Sequence, residues 1–366
     1  MRLPEIDDYT TLFLERRPLL DVRAPVEFAA GTIPGAVNLP LLTDEERHLI
    51  GIRYKEAGQE AAVALGRTLV DGAPRRERTE HWARFVREHP QGALYCFRGG
   101  MRSKITQEWI REATGVAYPR VKGGYKALRR FLIEQLEENA RVLEPVIIGG
   151  RTGVGKTLLI AALDDSIDLE ELAWHRGSAF GRHATPQPTQ VDFENRLSVA
   201  LLRHRHEKGP RVHLEDESRA IGSRHLPPVL FERMSQSPLV ILEADLETRI
   251  ANSIDEYVVR SLEEYRRLHG EEEGFERWAD QARNGLNRIA RRLGGKRHKA
   301  LSEALEAAIR AMEKGAPADV HASWIAHLLT EYYDPMYDYQ LRQKRDRIIY
   351  SGPKNELLEF LKKNPA

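Results

Sequence analysis

The stretch YCFRGGMRS, residues 95–103, contains Cys96, the only cysteine among 366 residues. Cys96 follows a short apolar segment and precedes a helical one, so its loop should lie at a helix N-terminus, where unpaired N–H groups favour anions and thiolates. Two arginines add positive charge, and the paired glycines let successive N–H groups point inward as an anion-binding nest. The sequence therefore predicts a catalytic Cys96 beside a bound oxyanion. The predicted anion-binding residues are Arg98, Gly99, Gly100, Arg102 and Ser103.

A second stretch, GRTGVGKT, fits the phosphate-loop pattern G-x-x-x-x-G-K-[ST], and it lies between an apolar segment and a helical one as that pattern requires. Its N–H groups should cradle a diphosphate, Lys156 should neutralise the outer oxygens, and Thr157 is available for Mg²⁺. The pattern predicts phosphate binding but not nucleotide hydrolysis, so the ligand could be any diphosphate. The predicted diphosphate-binding residues are Gly150, Arg151, Thr152, Gly153, Val154, Gly155, Lys156 and Thr157.

Acidic residues in VHLEDES, residues 212–218, are candidates to assist that loop. Asp216 or Glu217 would order a metal-bound water in a phosphoryl-transfer site. The alternative is that they are ordinary acidic residues at a strand end. The sequence predicts no other metal site, because one cysteine excludes a multi-cysteine zinc site and the histidines lack ligand spacing.

Two α/β domains must position these loops. Short apolar runs predict buried parallel strands in PLLDVRA, AVNLPLL and GALYCF, and helical spacing is present in HWARFVREH and RSKITQEWIREAT. A charged helix over about 125–141 closes this domain. The second domain opens with the strand EPVIIGG, and further strands are predicted at IDLEELA, RVHLEDE and SPLVILEAD. After about residue 246 strand patterns cease and helices are predicted. The predicted domains are 1–137, 138–246 and 247–366.

Composition restricts the class of protein. Apolar residues make up 41% and charged residues 30%, which is typical of a globular protein, and a net charge of +1 argues against an overall positive coat. One cysteine excludes an internal disulfide. No apolar run is long enough to span a bilayer, and the start lacks the pattern of a signal peptide. We therefore expect a cytoplasmic protein with no membrane partner.

The residues upstream of Cys96 indicate a family for the first domain. DVRAPVEFAAGTIPGAVNLP, residues 21–40, resembles the rhodanese signature, and the resemblance covers about 130 residues. In that family the loop cysteine carries sulfur or selenium. Five residues separate Cys96 from Arg102, which is the spacing of cysteine-dependent phosphatases, although Tyr95 stands where many of those carry histidine. A phosphatase or sulfurtransferase coupled to a nucleotide-binding regulatory domain is thus an alternative.

The whole chain resembles one family, the tRNA 2-selenouridine synthases. The resemblance includes the five-residue cysteine loop and is carried by ERHLIGIRYKEAGQEAAVALG, YCFRGGMRS, GGRTGVGKT, HRGSAFG, LEDESRAIG and YYDPMYDYQL. It implies replacement of sulfur by selenium in wobble 2-thiouridine of tRNA, with selenophosphate as donor and an enzyme that supplies it as a candidate partner. It also implies geranylation of that sulfur by geranyl diphosphate. The phosphate loop would then bind the geranyl donor, while Cys96 serves the selenium step.

A tRNA substrate requires a basic surface. The predicted tRNA-binding residues lie in NGLNRIARRLGGKRHK and are Arg288, Arg291, Arg292, Lys296 and Arg297. Binding through such residues should weaken steeply with salt. A second cluster spans 120–130, and Tyr332, Tyr333, Tyr337 and Tyr339 are candidates to stack an unpaired base or to pack in a core. His175, Arg176 and Ser178 are candidates to line the donor pocket, with no assigned mechanism.

A further alternative is a tRNA-binding scaffold that has lost catalysis. Intact Cys96, Arg102, Lys156 and Thr157 argue against it, because a scaffold does not need complete sites.

Overall fold

The computed structural model describes residues 3–363 and divides into two compact units. The first unit consists of the chain up to Asn139 together with Thr189–His206, and the second consists of Ala140–Pro188 and the chain from Glu207 onward. The predicted α/β class with parallel sheets and a helical C-terminal region is confirmed. Residues 1, 2 and 364–366 of the predicted domains lie outside the described residues.

A five-stranded parallel sheet forms the centre of the first unit, in the order β1-β5-β4-β2-β3. The elements as far as Val142 are β1 (Glu5–Ile6), α1 (Tyr9–Leu14), β2 (Leu19–Asp21), α2 (Pro25–Ala29), β3 (Ala36–Asn38), α3 (Asp44–Val70), α4 (Ala73–Glu88), β4 (Ala93–Tyr95), α5 (Met101–Thr114), β5 (Arg120–Val121) and α6 (Gly124–Val142). These include the three strands and three helices that the sequence predicts before residue 142.

Both faces of this sheet are covered, which explains why its strands are apolar at consecutive positions. Leu19 packs into one hydrophobic cluster with Phe13 and Leu128, whereas Leu20 packs into another with Trp82 and Ile110. Successive strand residues point to opposite faces, so one strand supplies both cores. The ends of β2 and β4 are thereby held side by side, and Cys96 follows β4 directly.

The second unit contains a four-stranded parallel sheet in the order β11-β10-β6-β7. The elements after Val142 are β6 (Glu144–Gly149), α7 (Lys156–Ile160), α8 (Leu169–Ala173), α9 (Gln190–Lys208), β7 (Arg211–Glu215), β8 (Ala220–Ile221), β9 (Arg224–His225), α10 (Pro228–Gln236), β10 (Leu239–Glu243), α11 (Leu246–Ile254), α12 (Ser261–His269), α13 (Glu271–Leu293), α14 (Gly295–Glu313), α15 (Ala322–Leu328), α16 (Asp334–Gln343), β11 (Ile348–Pro353) and α17 (Lys354–Lys363). Of these, α9 packs in the first unit and the others belong to the second unit. Two π-helical turns, Asp255–Arg260 and Leu329–Tyr333, interrupt its helices, and 3₁₀ turns form at Ala318–His321 and Arg345–Arg347.

Two sequence predictions about this region are wrong. IDLEELA was predicted as a strand, but it contains helix α8, because the Asp168 carboxylate accepts the N–H of Glu171 at 2.7 Å and caps the helix. The sequence also predicts no strand after residue 246, whereas β11 pairs in parallel with β10. This short strand lies at the sheet edge among long helices, where a local pattern is weak.

Helix α9 packs in the first unit, although it follows the phosphate loop in the chain. Asp192 accepts hydrogen bonds from the N–H and hydroxyl of Thr32 at 2.6 and 2.8 Å, and Asn195 donates to the Thr32 carbonyl at 2.6 Å. Ser198 donates to the carbonyl of Leu132 at 2.6 Å. The chain therefore returns to the first unit within the range 138–246 that the sequence assigns to the phosphate-loop domain.

Candidate functional site

The thiol of Cys96 lies buried where β4 meets the loop before α5. Its Sγ donates to the Ser103 hydroxyl at 3.2 Å, and that hydroxyl donates to the Gly100 carbonyl at 3.0 Å. Ser103 belongs to the first turn of α5, so the thiol faces the N-terminal end of a 14-residue helix. The structure thus brings Cys96, Gly100 and Ser103 together as the sequence predicts, beside the positive end of a helix.

The two arginines of this loop differ in their exposure and in their hydrogen-bond partners. Arg98 is exposed, whereas Arg102 donates to both carboxylate oxygens of Glu27 at 2.5 and 3.0 Å. Burial acts to raise the pKa of Glu27, but the bonds from Arg102 outweigh it and hold the pKa below its ordinary value. Arg102 is therefore already paired, and an incoming anion must share it with Glu27. The sequence analysis missed Glu27, whose only signal is its place in DVRAPVEF.

A buried ion pair fixes that segment. Arg23 bonds both oxygens of Asp21 at 2.6–3.0 Å, and the two side chains are 1% and 0% exposed. The same guanidinium donates to the carbonyls of Glu27 and Gly31 at 3.1 and 2.8 Å and lies 3.8 Å from the ring centre of Tyr125. A guanidinium with four of its five N–H donors paired inside the protein is a rigid support. The Asp-Val-Arg element therefore acts through Glu27 as scaffold for the loop.

Glycines on a neighbouring segment also hold the cysteine loop. Gly99 has φ +64°, and a Cβ there would lie 2.7 Å from the nitrogen of Gly123. Gly124 has φ +60°, and a Cβ there would overlap the carbonyl of Cys96 and the amide of Gly99. The N–H of Tyr125 donates to the Cys96 carbonyl at 2.9 Å. These contacts make the pair Gly123–Gly124, which sequence reasoning did not single out, part of the site.

The phosphate loop connects β6 to α7 in the second unit. Gly150, Gly153 and Gly155 have φ of +154°, +82° and +88°, which side chains rarely adopt, so glycine is required there. Lys156 donates from Nζ to the Gly150 carbonyl at 3.2 Å, across the mouth of the loop. An anion in the loop would meet both the ammonium group and the loop amides.

Side chains from the helical region support this loop from behind. Arg249 donates to the Thr152 carbonyl at 3.0 Å, and Asn252 donates to the Gly153 carbonyl at 2.8 Å. Arg249 is 3% exposed and pairs with both oxygens of Asp334 at 2.5 and 3.0 Å. Arg151 pairs with Asp338 at 2.7 Å, so its side chain is directed to the helical region and only its backbone remains for a phosphate. Sequence reasoning missed Arg249, Asn252 and both aspartates.

A cleft of about 740 Å³ opens at this loop, a size typical of sites for small organic ligands. It brings together motifs that are distant in the chain. Its lining includes loop residues, His175 to Ala179 of HRGSAFG, Asp216 to Ser218, and Tyr332, Tyr333 and Tyr337. Tyr339 is 65% exposed and is outside that lining. Three of the four tyrosines singled out by the sequence therefore line this cleft.

Carboxylates dominate one side of the cleft. Burial, followed by the charge of Glu217, raises the pKa of Glu170 well above its ordinary value. Burial also raises the pKa of Glu217, and Lys156 opposes this effect in both. Asp216 instead accepts from Lys344 Nζ at 2.6 and 2.7 Å with its two oxygens. Across residues 3–363, no three His, Cys, Asp or Glu side chains are grouped for a metal.

The HRGSAFG loop is anchored by one carboxylate. Glu264 accepts from Arg176 at 2.9 Å, from the N–H of Ala184 at 3.1 Å, and contacts His183 Nδ1 at 3.0 Å. Burial opposes ionisation, but the bonds from His183 and Arg176 lower the pKa of Glu264 to about 2. Burial lowers the pKa of His175 to about 4, so this imidazole is neutral near pH 7. The loop is thus held rigidly at the cleft.

The predicted tRNA-binding residues lie at the junction of α13 and α14. Arg291, Arg292 and Lys296 are exposed, and Arg292 also lines the cleft. Arg288 donates to the Ala179 carbonyl at 2.7 Å, and Arg297 lies 3.3 Å from Glu331. In the second basic cluster two of the three arginines are paired with carboxylates, Arg120 with Glu5 and Arg129 with Glu194. The junction therefore keeps more cationic groups available than the second cluster does.

Two known protein families together match nearly every residue of the chain. Residues 6–143 match the rhodanese-like domain, and residues 143–366 match the tRNA 2-selenouridine synthase AAA domain. The chain is similar to proteins named tRNA 2-selenouridine synthase: 52% identical to that of Marinobacter nauticus, covering 98% of this chain and 97% of the relative. It is 53% identical to that of Hahella chejuensis, over 95% of this chain and 92% of the relative, and 50% identical to that of Bordetella bronchiseptica, over 97% and 96%.

Across residues 3–363, no helix combines the length and apolar character needed to cross a bilayer.

Proposed function

Because the chain belongs to the tRNA 2-selenouridine synthase family, a family of tRNA-modifying enzymes, we propose that it replaces sulfur by selenium in wobble 2-thiouridine of tRNA. The observation that carries the proposal is the presence of two complete sites, a cysteine loop and a phosphate loop, on a chain similar to these relatives almost end to end. The proposed donors are selenophosphate for selenium and geranyl diphosphate for a preceding alkylation.

The phosphate loop and its cleft are assigned to the alkylation. The thiouridine sulfur attacks C1 of geranyl diphosphate, the S–C bond forms, the C–O bond breaks, and diphosphate leaves while the base loses its N3 proton. Loop amides and Lys156 stabilise the negative charge that grows on the leaving group. Mg²⁺, where it takes part, would be held by diphosphate oxygens, water and Thr157, because Asp216 is engaged by Lys344.

The cysteine loop is assigned to the selenium step. Alkylation turns the sulfur into a better leaving group. The selenium of selenophosphate forms a bond to C2, the C–S bond breaks, and geranyl thiol departs with the proton of the donor. Water then cleaves the P–Se bond, so that phosphate leaves and the seleno base regains its N3 proton. The amides before α5 and Arg102 suit the phosphate portion of selenophosphate, since both recognise oxyanions. Cys96 is the one thiol in the chain that can serve this step.

The tRNA is assigned to the basic junction of α13 and α14, where Arg291, Arg292 and Lys296 are exposed. An enzyme that makes selenophosphate is the proposed supplier of the second donor. The tRNA substrate supports a cytoplasmic reaction.

Mass spectrometry of wobble nucleosides tests this function. Thiolated tRNA would be incubated with the protein and with geranyl diphosphate, selenophosphate, both or neither. We expect the S-geranylated nucleoside with the first donor alone and the seleno nucleoside with both. If both donors together yield neither product, the proposed function is wrong. Seleno product formed from selenophosphate alone would contradict only the alkylated intermediate.

A further inference from the structure

One side of the phosphate-loop cleft is apolar. Five lining residues form it: Ala179 of the HRGSAFG loop, Ile289 of α13, Tyr332 and Tyr333 of a π-helical turn, and Met336 of α16. We call this set the apolar wall. Ile289 and Tyr333 are members of the hydrophobic core of the helical region, and the other three pack against that core. The apolar wall is thus the side of a well-packed hydrophobic core that faces the cleft, and not an isolated surface patch.

The backbone that supplies the wall is unusual. Tyr332 and Tyr333 belong to the π-helical turn Leu329–Tyr333, and Tyr257, which also lines the cleft, belongs to the π-helical turn Asp255–Arg260. Such turns insert an extra residue into a helix, redirect the side chains that follow, and occur frequently at functional sites. Two of them in one lining indicate that the shape of the wall serves a ligand.

We propose that the apolar wall binds the hydrocarbon chain of a prenyl diphosphate whose diphosphate lies in the phosphate loop. The inference rests on the proposed function, which supplies a geranyl donor without saying what holds its chain. The wall and the phosphate loop line the same cleft of about 740 Å³, so a single ligand can contact both. Its aliphatic members include a flexible methionine, which adapts to an irregular chain. A nucleotide base would need several hydrogen-bonding partners at its edge, and the side chains of Ala179, Ile289 and Met336 offer none.

Apolar burial fixes the expected size of the effect. Each buried methylene contributes about 0.8 kcal/mol, which is about a fourfold change in affinity. Geranyl diphosphate has five more carbons than dimethylallyl diphosphate. If the wall covers the second isoprene unit, we expect the longer ligand to bind at least tenfold more tightly, with the diphosphate contribution unchanged.

Calorimetric binding of inorganic pyrophosphate, dimethylallyl diphosphate and geranyl diphosphate tests the wall without catalysis. The variant Met336→Ser should reduce the preference for geranyl over dimethylallyl by about tenfold and leave pyrophosphate affinity unchanged. Ala179→Leu adds volume instead and should exclude geranyl diphosphate while admitting the shorter ligand. The control Leu268→Ser, at an apolar residue that is 47% exposed and outside the cleft lining, should change none of these affinities.

The outcomes separate this inference from the function it rests on. A native protein that binds geranyl diphosphate no better than pyrophosphate would contradict the geranyl donor itself. A native preference for geranyl that survives in both wall variants would overturn the wall alone. A parallel loss of pyrophosphate affinity would also overturn it, because the substitutions would then act on the phosphate loop. Tight ATP binding that Met336→Ser abolishes would assign the wall to a nucleotide base.

Discussion

The cysteine loop and the phosphate loop follow the same chain order, a strand, a glycine-containing loop and a helix, but different partners support them. The cysteine loop rests on its own α/β unit, where Gly124 touches the Cys96 carbonyl and Glu27 holds Arg102. The phosphate loop rests on the helical region, through Arg249 and Asn252. The first arrangement encloses one buried thiol, whereas the second opens into a cleft of about 740 Å³. A shared local pattern thus gives two different surroundings, an enclosed thiol and an open cleft, according to what packs behind it.

The largest effect is expected from a substitution that disrupts the support of the cysteine loop. In Gly124→Ala the new Cβ would overlap backbone atoms of Cys96 and Gly99, and backbone cannot move aside without shifting the loop. We expect loss of selenium transfer, and iodoacetamide should alkylate the displaced Cys96 faster than in the native protein. Mass spectrometry of the wobble nucleosides measures the first effect, and the alkylation rate measures the second.

Gly35→Ala is the matched control for that substitution. Gly35 also has a left-handed φ, +77°, but a Cβ there meets nothing within 4 Å. It should cost only the backbone strain of about 1–2 kcal/mol. Equal alkylation rates and equal activity in the two variants would show that the close approach of Gly124 does not shape the site.

A smaller effect is expected from breaking the support of the phosphate loop. Arg249→Met removes the close partner of Asp334, whose carboxylate is 15% exposed and keeps only Arg151 at 4.0 Å. Breaking a fully buried pair costs about 3–5 kcal/mol, so we expect a loss at or below the low end of that range. Pyrophosphate affinity, measured by calorimetry, should fall with it, while the alkylation rate of Cys96 stays native. Arg277→Met, which removes an exposed i,i+4 pair with Glu273, should change stability by less than about 0.5 kcal/mol. Equal losses of pyrophosphate affinity in both variants would show that Arg249 does not support the phosphate loop.

The smallest of these effects depends on pH. The pKa of Glu264 is lowered from 4.5 to about 2, which corresponds to at most about 3 kcal/mol of stability. Because the folded pKa is the lower one, this stability is present above pH 4.5 and is lost as pH falls towards 2. The gap in unfolding free energy between the native protein and Glu264→Gln should therefore be largest at pH 7 and less than half as large at pH 3. A constant gap would contradict the anchoring of HRGSAFG by ionised Glu264.

Local pattern was sufficient to predict both loops, because the strand, the glycine-containing loop and the following helix are consecutive in the chain in each case, over 93–114 and 144–160. It was not sufficient to predict the residues that hold these loops in place. Glu27 and Gly124 lie 75 and 22 positions from Arg102, and Asp334 lies 85 positions from Arg249, so only the fold shows these contacts. The strand predicted at IDLEELA was wrong because the cap formed by Asp168 outweighed an apolar pattern too short to distinguish strand from helix. The local sequence of helix α9 likewise does not indicate which unit the helix packs in.

The division of labour between the two loops can be tested by one measurement. Thiolated tRNA is incubated with geranyl diphosphate and selenophosphate and with the native protein, Cys96→Ser or Lys156→Ala, and both modified wobble nucleosides are quantified by mass spectrometry. The account predicts that Cys96→Ser accumulates the geranylated nucleoside and makes no seleno product, while Lys156→Ala makes neither. Pre-geranylated tRNA should restore selenium transfer to Lys156→Ala but not to Cys96→Ser. Loss of both steps in both variants, with no rescue by pre-geranylated tRNA, would contradict it.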